Sequence, residues 1–314
     1  MTRIYFATDV HGSQTCFMKF VNAAKVYRAE VLILGGDITG KTIVPIVEKG
    51  GSYEATFLGT TYRLQSHELQ DFEMAVARQG PYTYVLSESE MEELRADREK
   101  LERLFKRLML ERLNKWLEVI KERLSPIGVR VYISGGNDDY PEVEEVLKSS
   151  PYIVDPEGLV VDIDDSHEMI TSGYSNVTPW KCPRDISEDE LLKRIEAMAS
   201  KLDEPRRAIF NLHAPPFNSG LDYAPKLDKE LRPILDATGT PEMVPVGSTA
   251  VKAVIERYQP LLGLHGHIHE GRGVVKLGRT LCINPGSEYS QGILLGALLE
   301  LTEKGIKQYL LTEG

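Results

Sequence analysis

The sequence has few cysteines and no long apolar segment. Its three cysteines are odd in number and show no CxxC spacing, which favours a reducing compartment with the thiols as small buried residues. No uncharged apolar run approaches the roughly 18 residues that a membrane span needs. Because a strand pattern begins almost at once, at residues 3–6, we expect no signal peptide. These absences predict a cytoplasmic protein that neither spans nor binds a membrane.

Positive charge is also scarce. The 314 residues carry 37 Lys and Arg against 47 Asp and Glu, a formal net charge of −10. This balance argues against a broad phosphate-binding surface, so nucleic acid is not expected as a partner. A local basic groove that binds nucleic acid could still exist within an acidic total. The apolar content of 42% is ordinary for a globular protein.

Polar side chains follow five short apolar runs, at the point where each predicted strand ends. In chain order these blocks are Asp9-Val10-His11, Gly36-Asp37, Gly136-Asn137, His213 and Gly266-His267-Ile268-His269. Side chains at the ends of neighbouring strands converge at one edge of a sheet, where open α/β folds place their sites. Imidazole, carboxylate and amide oxygen together suit Mn, Fe, Co or Zn better than Ca or Mg. If these side chains were only structural, five separate strand ends would each have to carry such a residue by coincidence. Metal binding is therefore the preferred interpretation.

The same blocks resemble those of the calcineurin-like metallophosphoesterases, whose pattern is D-x-H, G-D, G-N-H-[DE], a lone H and G-H-x-H. The resemblance runs from residue 6 to about residue 287, with an enlarged middle, and Asn284-Pro285-Gly286-Ser287 looks like the family's closing turn. It implies a four-layer α/β/β/α sandwich of two mixed sheets with flanking helices and a helical insertion. It also implies two divalent transition-metal ions, drawn from Mn, Fe, Zn, Co or Ni.

The resemblance also implies which residues hold each ion. One set is Asp9, His11, Asp37 and His269, and the other is Asp37, Asn137, His213 and His267. Asp37 would bridge, because one carboxylate oxygen must face each cation. Two ions about 3.5–4 Å apart could trap a hydroxide for in-line attack at phosphorus, with no side-chain base required. The implied activity is hydrolysis of a small phosphate ester.

The chain departs from the family pattern in its third block, Gly135-Gly136-Asn137-Asp138-Asp139. Asp138 stands where the family usually carries the histidine that protonates the leaving group, and Gly40 stands where many members carry an aspartate that orients it. Three roles stay open for Asp138: an ionised carboxylate beside the cations, a carboxylic acid that replaces the histidine, or an acceptor that orients a ligand or water. His265 could reach the phosphate or be a buried structural residue.

An insertion separates the second and third blocks. Residues 53–58 and 60–65 are predicted to pair as a hairpin around Gly59. From Ser87, which begins a capping box, apolar residues recur at helical spacing to Leu124, just before Pro126. A single helix of that length would be roughly 55 Å long, so it should be bent, split or projecting. We favour packing on the sheet, with a homodimer arm as the alternative, and predict one domain over 1–314 with an insertion at about 45–126.

Four further features of the sequence allow predictions. Residues 35–42 match the phosphate-binding pattern G-x-x-x-x-G-K-[ST], but the β-branched run after Lys41, interrupted by Pro45, does not predict the required helix.

Loop 217–246 is expected to shape substrate access. Trp180 could stack on an aromatic substrate group, although core packing is the favoured role. The last four strands, at 273–277, 280–284, 293–301 and 305–311, are predicted to form a meander.

The sequence therefore predicts a cytoplasmic, dinuclear metal-dependent phosphoesterase. A diester is favoured over a monoester, because no motif supplies the extra cationic groups that a monoester usually requires. The alternative is a catalytically weak interaction scaffold with the same fold. A nuclease and a P-loop NTPase are less favoured.

Overall fold

The computed structural model describes every residue, Met1–Gly314, and consists of strands and helices joined mainly by short loops. The strands are β1 (Thr2–Ala7), β2 (Val31–Gly35), β3 (Ile43–Lys49), β4 (Ser52–Phe57), β5 (Thr60–Leu64), β6 (Tyr82–Leu86), β7 (Arg130–Ser134), β8 (Val160–Asp164), β9 (His167–Ser172), β10 (Ser175–Asn176), β11 (Asp185–Ile186), β12 (Ile209–Leu212), β13 (Tyr223–Pro225), β14 (Met243–Pro245), β15 (Leu262–Leu264), β16 (Gly273–Leu277), β17 (Thr280–Asn284), β18 (Leu295–Thr302) and β19 (Gly305–Glu313). The helices are α1 (Gln14–Val26), α2 (Leu69–Arg78), α3 (Glu88–Ala96), α4 (Arg98–Arg123), α5 (Glu142–Ser149), α6 (Glu188–Ala199) and α7 (Thr249–Tyr258).

Two mixed sheets pack against each other at the centre. The first has the order β19-β18-β1-β2-β7, with β1, β2 and β7 parallel and β18 and β19 antiparallel. The second has the order β16-β17-β15-β12-β9-β8, with four central parallel strands and antiparallel edges. One buried cluster joins the facing sides of both sheets, including Ile4, Phe6, Ile33, Ile209 and Ile283. Helices cover the outer faces, so the predicted four-layer α/β/β/α sandwich is confirmed.

Alternation along β1 shows why the first sheet lies between two layers. Ile4 and Phe6 face the second sheet, whereas Tyr5 and Ala7 belong to the cluster beneath the helices. Both faces of the strand are therefore apolar, as expected for a sheet covered on both sides. The following helix, α1, is capped at its N-terminus by Ser13, whose hydroxyl accepts a hydrogen bond from the Cys16 amide. The helix thereby starts just after the first polar block.

The insertion contains a small sheet of its own. The hairpin expected around Gly59 is present, because β4 and β5 pair antiparallel. Together with β3 and β6 they form a four-stranded sheet of order β5-β4-β3-β6, packed against α2. The sequence did not predict this sheet, because β3 pairs in parallel with the distant β6. The division of the chain into domains stays a prediction.

The long helical run is split into α3 and α4 at Asp97. The backbone of Asp97 is extended, and its side chain accepts from the Lys100 amide, so it caps the second helix. α4 packs on α1, with the ring of Trp116 stacked on Phe17 at a centroid distance of 4.1 Å. Leu117 belongs to the same core cluster, whereas Leu101 is exposed. Leu117 is therefore part of the core, and dimerisation through the insertion stays a proposal.

The burial of Leu117 predicts the effect of a charge on this face. Leu117→Glu should lower the free energy of unfolding by about 3–5 kcal/mol, because an unpaired carboxylate would be buried against α1. Leu101→Glu, the matched control on the same helix, should change it by no more than about 0.5 kcal/mol. Urea unfolding and size-exclusion chromatography measure both effects. A stable Leu117→Glu protein with an altered oligomeric state would contradict this packing.

The C-terminal strands correct one expectation. They exist within a residue or two of the predicted positions, but they do not form one meander. β16 and β17 belong to the second sheet, whereas β18 and β19 belong to the first. Between them the chain passes the polar blocks, where the Ser287 hydroxyl donates to the carbonyl of Asp9. None of the helices combines the length and the apolar character that crossing a membrane would take.

Candidate metal centre

The five polar blocks meet where the two sheets face each other. Asp9 and His11 follow β1, Asp37 follows β2 and Asn137 follows β7 in the first sheet. From the second sheet, His213 follows β12, and His267 and His269 follow β15. These five strands run parallel within their sheets, so their carboxyl ends deliver the side chains to one place.

The side chains form groups in which all candidate donor atoms lie within 4.8 Å of one another: Asp9, His11 and His269; Asp37, His213 and His267; and His11, Asp37 and Asp138. Within the first, Nε2 of His11 is 3.1 Å from Nε2 of His269. Beside the second, Oδ1 of Asn137 is 2.8 Å from Nδ1 of His267. The structure thus brings together all seven residues predicted to bind metal, in two neighbouring sets.

Asp37 lies between the two sets. Its Oδ2 is 3.7 Å from Nε2 of His11, and its Oδ1 is 3.4 Å from Nε2 of His213. The two oxygens of one carboxylate therefore face different histidines. This is the arrangement that a bridging ligand needs.

The backbone at these positions is strained. Asp9, His11, Asp37 and His267 have positive φ angles of 53°, 40°, 49° and 67°. Residues other than glycine rarely adopt this conformation, and it persists where the surrounding structure enforces it, often at functional sites. All four strained residues are candidate metal ligands.

Two glycines of the motifs make the close approach possible. A Cβ atom at Gly136 would lie 2.2 Å from Oδ1 of Asp37, and one at Gly266 would lie 2.3 Å from Oδ2 of Asp9. Any side chain at either position would displace a candidate ligand. The glycines of the G-N and G-H blocks are thus required by packing.

Hydrogen bonds fix the donor atoms in orientations that suit a cation. His213 donates from Nδ1 to the carbonyl of Gly35, at 3.1 Å, which leaves its buried Nε2 without a hydrogen-bond partner. Asn137 donates from Nδ2 to Asp185, at 2.9 Å, so its carbonyl oxygen faces the site. Imidazoles, carboxylates and an amide oxygen form a donor set appropriate for divalent transition metals. These residues constitute a candidate metal site.

Burial and the carboxylates set the charge of the histidines. Burial lowers the pKa of His11 to about 3 and that of His267 to about 4. Burial also opposes protonation of His213, but Asp37 and Asp9 outweigh it and raise its pKa to about 9. Burial opposes protonation of His269 as well, and Asp9 nevertheless raises that pKa. At neutral pH, His213 thus carries a proton that a metal ion would have to replace.

Metal binding should therefore release a proton. The His213 pKa of about 9 lies above neutral pH, so the ion competes with a bound proton, and that competition weakens as pH rises towards 9. For one such proton the apparent affinity for Mn²⁺ should rise about tenfold per pH unit between pH 6 and 8. Calorimetric titration in two buffers of different ionisation enthalpy counts the proton. No release together with a pH-independent affinity would contradict the proposed charge state.

Asp138 is held in an ion pair beside the candidate ligands. Its Oδ2 is 2.6 Å from Nζ of Lys41, and its Oδ1 accepts from the Cys182 thiol at 3.2 Å. Burial and Asp138 raise the pKa of that thiol to about 12, so it remains a donor. The segment after Lys41 is strand β3 rather than a helix. The P-loop interpretation lacks the helix it needs and is wrong.

His265 and Asp139 lie near the candidate ligands and contact backbone groups. The buried ring of His265 lies 2.8 Å, through Nδ1, from the carbonyl of Leu212, and it belongs to none of the donor groups. Backbone carbonyls orient the ring of His265, which favours the structural role, and a catalytic role for His265 stays an untested prediction. Asp139 accepts from the amides of Ile38 and Thr39, at 2.9 Å each, and so holds the loop that carries Asp37.

Sequence reasoning missed the residues that support the ligands. Asp185 orients Asn137, Ser175 Oγ lies 3.3 Å from Nε2 of His267, and the Tyr289 ring lies 4.6 Å from the His11 ring. All three lie far along the chain from the ligand they contact, and none belongs to a motif. Only the three-dimensional structure reveals them.

A cavity of about 950 Å³ opens from the candidate metal site. Residues 176–182 and loop 217–246 form its walls, so the loop lies where substrate access was expected. Trp180 lines it and is 63% exposed, which corrects the expectation that this side chain packs in the core.

The chain was compared with known protein families, sequences and structures. No family model matches the chain. The uncharacterized protein MJ1162 of Methanocaldococcus jannaschii is 28% identical over 175 residues, which cover 54% of this chain and 71% of that protein. The crystal structure of TT1561 of Thermus thermophilus has a TM-score of 0.54 at 15% identity, covering 100% of this chain and 98% of that one. This likeness shows a shared fold. A solved archaeal phosphodiesterase matches over 100% of both chains at 12% identity, but its TM-score of 0.36 carries no argument about activity.

Proposed function

We propose that this chain is a dinuclear metal-dependent phosphoesterase of the calcineurin-like family, acting on phosphodiesters in preference to monoesters. The observation that supports it most is the position of Asp37. Its oxygens lie 3.7 Å and 3.4 Å from imidazoles of two different donor groups. A site for one metal ion would not require the two oxygens of one carboxylate to face two different donor groups.

The proposed ligands divide into two sets that share Asp37. One is Asp9, His11, Asp37 and His269, and the other is Asp37, Asn137, His213 and His267. Bound divalent ions would supply Lewis acidity towards the phosphoryl oxygens and lower the pKa of coordinated water to about 7. The protein's contribution is orientation, because Gly35 fixes the ring of His213 and Asp185 fixes the amide of Asn137.

The surroundings of Asp138 do not suit a general acid for the leaving group. A carboxylate 2.6 Å from the Lys41 ammonium that also accepts from a thiol acts as a hydrogen-bond acceptor. This supports the ionised or orienting role of Asp138 over that of a general acid. Lys41 lines the cavity and could contact a phosphate oxygen of the substrate.

Charge around the cavity supports a diester substrate. The cations lining it are Lys41, paired with Asp138, and Lys226, whose Nζ is 3.0 Å from Oε1 of Glu242. Each lysine is paired with a carboxylate, so the two pairs supply no net positive charge against the second negative charge of a monoester. Hydrolysis of bis(p-nitrophenyl) phosphate and of p-nitrophenyl phosphate with Mn²⁺ or Ni²⁺ tests the proposal. Faster turnover of the monoester would contradict the diester preference, and no turnover with metal bound would favour the interaction scaffold.

A further inference from the structure

The cavity beside the candidate metal site has apolar walls. Its lining includes Val177, Pro179 and Trp180 and, from loop 217–246, Phe217, Leu227 and Leu231. Val177 is 62% exposed, Trp180 63% and Leu231 43%. Single exposed apolar residues are common, but several that line one concave surface mark a binding site for apolar groups.

The outer wall is an ordered arm. Within loop 217–246, β13 and β14 pair antiparallel, and isolated bridges join Leu227 to Pro233 and Leu235 to Pro241. Asp222 closes the base of the arm by accepting from the amides of Asn218 and Gly247, at 2.7 Å and 3.0 Å. The apolar wall is therefore part of the folded structure and is available before a ligand arrives.

The cavity offers no unpaired cation away from the metal site, and its unpaired carboxylate, Glu270, directly follows the candidate ligand His269 in the chain. Lys226 is paired with Glu242, as described above. Glu188 is occupied by the first turn of α7, because its carboxylate accepts from the amides of Thr249 and Ala250 at 3.0 Å and 2.8 Å. A ligand portion bearing additional phosphates would find no partner there. The ligand portion that these walls suit is mainly apolar and carries no further negative charge.

We propose that this cavity binds the non-leaving alcohol part of the substrate, and that this part is a bulky, uncharged and mainly apolar group, either an aryl group or an alkyl chain. The inference rests on the proposed function, because the phosphate would lie at the metal site. Two observations carry it: the apolar walls continue directly from Asn137 and His267, and a cavity of about 950 Å³ has room for much more than a phosphate. Cavities of this size bind drug-sized organic molecules.

The test uses p-nitrophenyl phosphodiesters that share one leaving group and differ in the other substituent: methyl, octyl or phenyl. The shared p-nitrophenolate keeps the chemical step matched. With Mn²⁺, kcat/KM should be higher by about 100-fold for the octyl or the phenyl ester than for the methyl ester, because the apolar group is removed from water. Preference for octyl indicates a chain and preference for phenyl indicates an aryl group. Equal values for all three esters would overturn the proposal.

Variants at exposed positions connect the preference to this cavity. Trp180→Ala and Leu231→Glu should lower kcat/KM for the preferred ester about tenfold, and leave the methyl ester within about twofold. Val26→Glu, at an exposed apolar residue of α1 outside the cavity, is the matched control and should change neither. Loss of activity on all esters alike in both cavity variants would count against the proposal.

A binding measurement separates this inference from the proposed function. Octylphosphonate and phenylphosphonate are not hydrolysed, and calorimetry compares each with methylphosphonate on the Mn²⁺-loaded protein. Tighter binding of one of them, lost in Leu231→Glu, would support the apolar site even if no ester is turned over, in which case only the proposed function fails. Equal binding of all three phosphonates would overturn the apolar site whatever the enzyme hydrolyses.

Discussion

Asp37→Asn is expected to lose nearly all phosphodiesterase activity, with kcat/KM lower by at least about 10³-fold, because stabilisation by the metal ions is worth several kcal/mol. The carboxylate is the group that lies between the two sets of histidines, with one oxygen 3.7 Å from His11 and the other 3.4 Å from His213. An amide presents only one oxygen and no charge. It cannot serve both sets, so the variant should also retain fewer than two ions per chain.

Asp162→Asn is the matched control, since it makes the same change at an exposed carboxylate on β8, away from the site. It should keep full activity and metal content. Elemental analysis after desalting gives the metal content, and initial rates give the activity. If Asp37→Asn keeps both ions and full activity, Asp37 does not bridge.

The second large effect concerns the leaving group. Without a histidine at position 138, the leaving oxygen departs unaided or helped only by a metal or water, and general-acid help is typically worth about 10²- to 10⁴-fold in rate. Its absence matters little for a stabilised phenolate and much for an alkoxide. We therefore expect wild-type turnover of aryl phosphodiesters to exceed that of dialkyl ones far beyond the range that binding differences explain. Equal rates, with chemistry rate-limiting, would overturn the missing-acid argument.

Asp138→Asn decides the role of the native residue. If Asp138 only accepts hydrogen bonds from Lys41 and Cys182, the variant should change the rate on an aryl ester little. On an alkyl ester, a drop of about 100-fold or more with metals retained would show instead that Asp138 is the proton donor. Asp138→His should narrow the aryl-to-alkyl gap if the imidazole finds an orienting partner. Position 40 cannot supply one without rearrangement, because a Cβ there would lie 2.4 Å from the carbonyl of Gly80.

The sequence revealed the site because the candidate ligands occupy strand ends. Parallel strands deliver their carboxyl ends to one edge, so Asp9, Asp37 and His213 could be expected to meet although they are far apart in the chain. Positions at strand ends can be predicted from the sequence, because neighbouring parallel strands share the same geometry.

The remaining features depend on contacts that no local pattern encodes. The orienting bond from Asn137 to Asp185 spans 48 residues, and the pairing of Asp138 with Lys41 joins two loops. The break at Asp97 was readable in principle from its capping side chain, but the surrounding apolar period concealed it. β18 could not be assigned to the first sheet, because only its pairing with β1 distinguishes it from a continuation of the meander.

Metal stoichiometry measured together with turnover tests the central claim most directly. The metal-free wild-type chain is titrated with Mn²⁺, and bound metal and hydrolysis of bis(p-nitrophenyl) phosphate are recorded on the same samples. We predict that two ions bind per chain and that activity appears only as the second site fills, because Asp37 faces both donor groups. Full activity with a single bound ion, or two bound ions without turnover of any phosphate ester, would contradict a dinuclear phosphoesterase.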